Sequence, residues 1–249
     1  MPVRESEAIV LRSYSLGESD RLVSFLSRAH GRMRGVAPGA RRLKSRFGGT
    51  LEPLTYVRIW FFERETRDLV RISQTELIES FLDLQSDYFA GVTLGMISEI
   101  SETTLGEREV AETNFRLALA TARAIKAGVA PGSALAYFGL WTVKLGGWLP
   151  RLGQCARCGA NLTSGAYVSI DGLLFCATCR LAGQRRISQA ALELAHRMQV
   201  EKLEQFMKDT SSPEALTELR DYMLDTIEHH IEKRLLTRSL LNGIKEKLS

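Results

Sequence analysis

All four cysteines of the chain, Cys155, Cys158, Cys176 and Cys179, lie in one stretch with the spacing C-x2-C-x17-C-x2-C. That spacing is within the range of four-thiolate zinc sites. Two residues between cysteines allow a tight backbone knuckle that turns both sulfurs inward. Two such knuckles supply the corners of a tetrahedron at about 2.3 Å from a metal. Four thiolates close the coordination shell, so the pattern points to structural Zn2+ and leaves no open position for substrate. Disulfides or free thiols, and a redox or iron–sulfur role, are the competing readings. Between the knuckles, AYVSI (166–170) and GLLF (172–175) flank the turn dipeptide Asp171-Gly172. This predicts a small hairpin carrying the second knuckle, within a module spanning 152–182.

The remaining chain must fold around that module. Its 249 residues, 45% hydrophobic and 25% charged, suffice for one large or two modest domains. The first residues are polar and charged, and no apolar run approaches the roughly 20 residues that span a bilayer. A cytoplasmic protein without a membrane partner is the expectation, and a reducing compartment favours metal over disulfides. The net charge of +4 is unevenly placed. Residues 1–80 hold 14 Lys and Arg against 10 Asp and Glu, while 81–249 hold 19 of each. From 21 to 51 there are eight basic residues and no acid.

Residues 6–80 alternate with a period of two, giving short strands near 8–13, 22–26, 31–36, 51–62 and 69–78. Five strands, closed to avoid bare edges, predict a small barrel of the OB-fold kind over residues 1–80. Between the third and fourth strands runs APGARRLKSRFGG (37–49), with turn residues at both ends and four cations in six positions. Arg41, Arg42, Lys44 and Arg46 have no acid nearby in sequence, and Arg32 and Arg34 project from one face of the preceding strand. Phosphate is the natural counterpart of such a group, although many charge runs are only solvated surface. In the fourth strand, alternation assigns Val57, Ile59 and Phe61 to the barrel core. Tyr56, Trp60 and Phe62 face the other way, either to stack on bases beside Arg58 or to pack against the following domain.

After residue 81 the period becomes 3.6, which predicts an all-α domain over 81–249. Phe89, Val92, Met96 and Ile100 form one stripe, and Phe115, Ala118, Leu119, Ala122 and Ile125 the next. Residues 133–148 are apolar nearly all round, as in a buried helix, and Gly146-Gly147 ends it. A helix over 188–208 follows the zinc module. Ser212-Pro213-Glu214 then reads as an N-cap, first-turn proline and first-turn acid. Phosphate-loop, dinucleotide, zincin and nucleophile-elbow motifs are all absent. The adjacent His229 and His230 point to different faces of a helix and make a poor metal clamp. These features favour binding over catalysis.

The strings EAIVLR (7–12), LGESDRL (16–22), HGRMRGVA (30–37), GARRLKSR (39–46) and LEPL (51–54) resemble the RecO family of bacterial recombination mediators. The likeness continues in layout: a helical bundle, a four-cysteine module after a Leu-Gly-Gly helix end, and an Arg-rich final segment. It implies an OB-fold followed by a helical zinc-bearing domain, acting without ATP hydrolysis. It also implies binding to single- and double-stranded DNA, annealing of complementary strands and contact with the C-terminal tail of the single-stranded-DNA-binding protein (SSB). Partnership with RecR, indirect action on RecA and a nucleoid-associated place in the cytoplasm follow from the same likeness. Arg32, Arg34, Arg41, Arg42, Lys44 and Arg46 become the DNA-binding positions, and the four cysteines the zinc ligands. Arg123 with Lys126, or Arg234 with Arg238, are candidates to cap the acidic tail. Two other classes compete. A nucleic-acid ligase needs a lysine ahead of Asp171-Gly172 that this chain lacks. A zinc-ribbon transcription or translation factor would prefer structured RNA or a promoter to bare strands.

Overall fold

The computed structural model describes residues 3–63, 68–208 and 212–242. They form two compact units: Met1–Ala122 with Thr237–Ser249, and Arg123–Leu236.

In the first unit, strands β1 (Val3–Leu16), β2 (Asp20–Ser27), β3 (Gly31–Ala37), β4 (Tyr56–Phe62) and β5 (Val70–Glu79) close a barrel in the order β1-β2-β3-β5-β4. This is the OB-fold expected from the strand spacing. Strand β1 closes it by serving two partners. Its first half pairs with β4, its second half pairs with β2, and a bulge between Val10 and Arg12 bends it from one to the other. The seam between β3 and β5 is parallel and short, Gly35 facing Val70 and Val36 facing Arg71. A Cβ on Gly35 would lie 2.7 Å from Val70 Cγ2, so glycine permits that approach.

Val57, Ile59 and Phe61 fill the interior as their alternation requires, with Val10, Phe25, Met33 and Ile72 around them. Alternation fails on β1, where Ala8, Ile9, Val10 and Leu11 are all buried. The cause is helix α1 (Tyr88–Thr104), which covers the barrel's outer face there, with Ser98 Oγ donating to the Leu11 carbonyl. The Asp87 carboxylate caps α1 by accepting from Ala90 N at 3.0 Å. Val92, Met96 and Ile100 are buried as expected, but Phe89 in the first turn is exposed. After α1 the chain runs along the free edge of β3, with Arg108 N donating to Arg32 O at 2.8 Å. Gly31, at φ +70, lets this segment close in, since a Cβ there would lie 1.8 Å from Glu109 O. Helix α2 (Glu112–Lys126) carries the chain across the division between the units.

In the second unit, helix α3 (Pro131–Leu145) is buried along most of its length. Strands β6 (Ala166–Val168), β7 (Leu174–Phe175) and β8 (Arg185–Ile187) form a small sheet in the order β7-β6-β8. The β6–β7 hairpin is the predicted one. Strand β8 had no sequence signal, being three residues long with two exposed arginines. The expected helix over 188–208 divides into α4 (Gln189–Val200) and a 3-10 turn at Leu203–Lys208. The backbone becomes extended at Glu201, and Phe206 folds back to within 6.5 Å of the Tyr137 ring on α3. Helix α5 (Pro213–His230) starts as read, with Ser212 Oγ accepting from Ala215 N at 3.0 Å. Its buried Tyr222 donates to Gly172 O at 2.7 Å, fastening the hairpin turn to the bundle.

Candidate metal centre and nucleic-acid interface

The first knuckle is shaped by backbone hydrogen bonds: Cys155 N donates to Ala160 O at 2.8 Å and Gly159 N, at φ +73, to Cys155 O at 2.9 Å. The second is closed by Cys179 N and Arg180 N, which both donate to Cys176 O, at 3.1 and 3.0 Å. Ala156 N donates to Leu174 O at 2.8 Å, tying the first knuckle to β7 just ahead of the second. As a result the four sulfurs lie within 4.8 Å of one another. Cys158 and Cys176 Sγ are 3.8 Å apart. That is far beyond the roughly 2.05 Å of a disulfide. It equals the edge, about 3.8 Å, of a tetrahedron with metal–sulfur bonds of about 2.3 Å.

The thiols do not titrate alike. Burial pushes the Cys155 thiol up, but backbone hydrogen bonds at Cys158, Cys176 and Arg157 together outweigh it and bring it down to about 6. A backbone hydrogen bond at Cys179 lowers Cys176. The Cys158 sulfur, with burial and the other two thiols, raises Cys179 to about 12. Four thiols crowded this closely share negative charge poorly, and a cation among them relieves the repulsion. The set can hold one metal ion and offers it no open position.

The basic segment between β3 and β4 is a chain of turns rather than a slack loop. Arg42 N donates to Gly39 O at 3.1 Å, Ser45 N to Arg42 O at 2.9 Å and Thr50 N to Phe47 O at 3.1 Å. Phe47 and Leu51 turn inward to join the barrel core and Ala40 packs against it, while Leu43 is fully exposed. The foot is held by Gly39 N donating to the Asp20 carboxylate at 2.9 Å, and by Arg41 N donating to Ser19 O at 2.9 Å. Hydrogen bonds from Gly39 N and the Ser19 hydroxyl hold the Asp20 carboxyl below the usual carboxylate range. Arg41, Arg42, Lys44 and Arg46 are all exposed. Arg41 Nη1 donates to Gly17 O at 2.9 Å, and Arg46 lies 5.0 Å over the Phe47 ring. None of the four forms an ion pair with an acid among the described residues.

Arg32 and Arg34 share a face of β3, as read, but each is engaged. Arg32 Nε donates to Leu105 O at 2.9 Å. Arg34 grips the Glu107 carboxylate with both arms of its fork, at 3.0 and 3.2 Å, so its guanidinium is raised above its ordinary value. Arg28 similarly bridges Glu7 and Glu112. Glu107 stands 73 positions from Arg34 and Glu112 stands 84 from Arg28, and nothing local in the sequence announces either pairing.

The three aromatic rings of β4 do not form a common platform. Tyr56 is buried, with its ring 6.0 Å from that of Phe115 in edge contact, and is closed to any base. Of the two readings of Tyr56, this is the packing one rather than the stacking one. Trp60 and Phe62 are half-buried, and Trp60 Nε1 donates to Glu5 at 2.9 Å. Beside them Arg58 lies between Glu5, at 3.4 Å, and Glu76, at 3.5 Å. No helix among the described residues is long and apolar enough to cross a membrane.

Comparison with known proteins places the chain in a family. Residues 1–81 match the family model for the recombination protein O N terminal, and residues 85–239 that for the recombination protein O C terminal. The DNA repair protein RecO of Koribacter versatilis is 35% identical over 247 residues, covering 97% of this chain and 99% of the relative. The protein of the same name from Anaeromyxobacter sp. strain K is 32% identical over 240 residues, covering 95% and 94%. That from Nocardioides sp. is 40% identical over 185 residues, covering 71% and 74%. A five-stranded barrel, a helical bundle and a four-cysteine module in this order, matched along nearly the whole chain, mean that it belongs to the RecO family of DNA repair proteins.

Proposed function

We propose that this chain is a non-enzymatic recombination mediator that binds single- and double-stranded DNA through the basic segment between β3 and β4. It anneals complementary strands and, with RecR, helps load RecA on SSB-coated DNA without ATP hydrolysis. The C-terminal tail of SSB is its contact with the coated strand, and its place is the cytoplasm, at the nucleoid. Residues 1–80 act as the nucleic-acid-binding domain and 81–249 as the helical domain with the module at 152–182. The observation that carries this reading is the set of four exposed cations, none in an ion pair with an acid among the described residues, on a segment anchored in the barrel core. Cations held at fixed positions neutralise phosphates on two strands and reduce the repulsion that opposes their pairing. Tethering through the SSB tail raises the local concentration of coated strand at the barrel. Arg32 and Arg34 lie on β3, the strand that leads into the segment. Because Arg34 is already paired, phosphate binding falls mainly on Arg41, Arg42, Lys44 and Arg46.

Cys155, Cys158, Cys176 and Cys179 would hold Zn2+, whose role is to cross-link the two knuckles and stabilise the module. The binding claim is tested with Arg41→Glu, Arg42→Glu and Arg46→Glu combined. The expected result is weaker DNA binding with a flatter salt dependence, the log–log slope falling by about 0.9 for each duplex phosphate that is no longer neutralised. Wild-type affinity and slope in this variant would place the interface elsewhere.

A further inference from the structure

Leu43 stands in the middle of the basic segment, and it is fully exposed. Its neighbours Arg41, Arg42, Lys44 and Arg46 are exposed as well. The other large apolar residues between β3 and β4, Phe47, Leu51 and Leu54, are buried. The segment therefore sorts its large apolar side chains into three anchors and one outlier. Its backbone is set in a turn: Ser45 N donates to Arg42 O at 2.9 Å, which places Leu43 at a central position of the turn Arg42–Ser45, next to the turn closed by Arg42 N donating to Gly39 O at 3.1 Å. A leucine fixed in water among four cations is a poor choice for a surface whose only task is to attract phosphate. Any strand drawn onto those cations brings its bases within reach of the isobutyl group.

We propose that Leu43 is an apolar wedge that inserts between neighbouring bases of a strand held by Arg41, Arg42, Lys44 and Arg46. Apolar side chains flanked by phosphate-binding cations unstack base steps in this way in DNA-bending proteins. In a single strand the cost is smaller, because no base pair has to open. The wedge separates bases that would otherwise stack on each other, and so leaves their pairing edges open to a complementary strand. The charged residues supply attraction, and the leucine supplies the local unstacking that attraction alone does not. The inference rests on the basic segment being the DNA contact.

The test uses a single-stranded oligonucleotide carrying 2-aminopurine, whose fluorescence rises when it is unstacked. The full chain is added to saturation as wild type, Leu43→Ala, Leu43→Met and the triple Arg41→Glu/Arg42→Glu/Arg46→Glu. Wild type and Leu43→Met are expected to raise the fluorescence. Leu43→Ala should bind with an unchanged salt slope, since no charge is altered, and lose the rise. Because the Leu43 side chain lies outside the core, its replacement leaves the fold intact. An equal rise with Leu43→Ala, or no rise with wild type, overturns the wedge while leaving the cationic contact standing. Wild-type binding by the triple variant instead removes the DNA contact from this segment, and the wedge with it.

Discussion

Cys155 is the thiol that the fold buries and surrounds with backbone donors, while Cys158 is exposed and Cys176 and Cys179 are intermediate. Its loss should therefore damage the metal centre without touching the DNA-binding surface. Cys155→Ser is expected to lose bound metal and melt lower, by about 2–4 °C for each kcal/mol of lost stability in a chain of this size. Its DNA affinity should stay at the wild-type value. Metal analysis, a thermal melt and a binding titration check this, and lost affinity at an unchanged melting temperature would contradict a structural role. The cluster of four cysteines was legible because two residues between cysteines is a local geometric rule. Arg34 was legible as a strand residue but not as a paired one, because Glu107 lies 73 positions away. For Tyr56 the sequence left stacking and packing both open, for a related reason. Alternation tells which face of β4 it occupies, but not that Phe115 of α2 covers that face.

Among the elements, the basic segment departs most from its appearance in sequence. Glycines, a proline and cations suggest slack surface, yet Phe47 and Leu51 pin it to the barrel core. On the proposed reading, pinning the backbone would lower the entropy lost when the cations meet DNA. Phe47→Ala is expected to lower stability by about 3–5 kcal/mol, as removal of a buried ring does. It should also weaken DNA binding although every cation remains, which denaturant unfolding and a titration at fixed salt would show. Undiminished affinity in the folded variant would mean that the anchor is irrelevant to binding. The five strands, helix α3 and the Ser212 cap were legible because each has strong local periodicity or capping chemistry. Strand β8 and the break after α4 were not, because their ends are set by packing within the second unit rather than by breaker residues.

At the scale of the molecule, the basic segment lies in the first unit and the four cysteines lie in the second, within a helical frame. The change of hydrophobic period near residue 80 correctly marks where strands give way to helices. Compactness divides the chain later, within α2, because α1 packs on the barrel and the carboxylate of its Glu99 accepts from Thr237 N at 2.9 Å. On the proposed reading, the basic segment of the barrel would hold the strands and the four-cysteine site would brace the fold. The most direct measurement is annealing of complementary oligonucleotides coated with cognate SSB, in the absence of nucleotide. The wild-type chain is expected to anneal them, and the Arg41→Glu/Arg42→Glu/Arg46→Glu variant, with its melting temperature and metal content intact, is expected not to. Annealing by that variant at the wild-type rate would contradict the account.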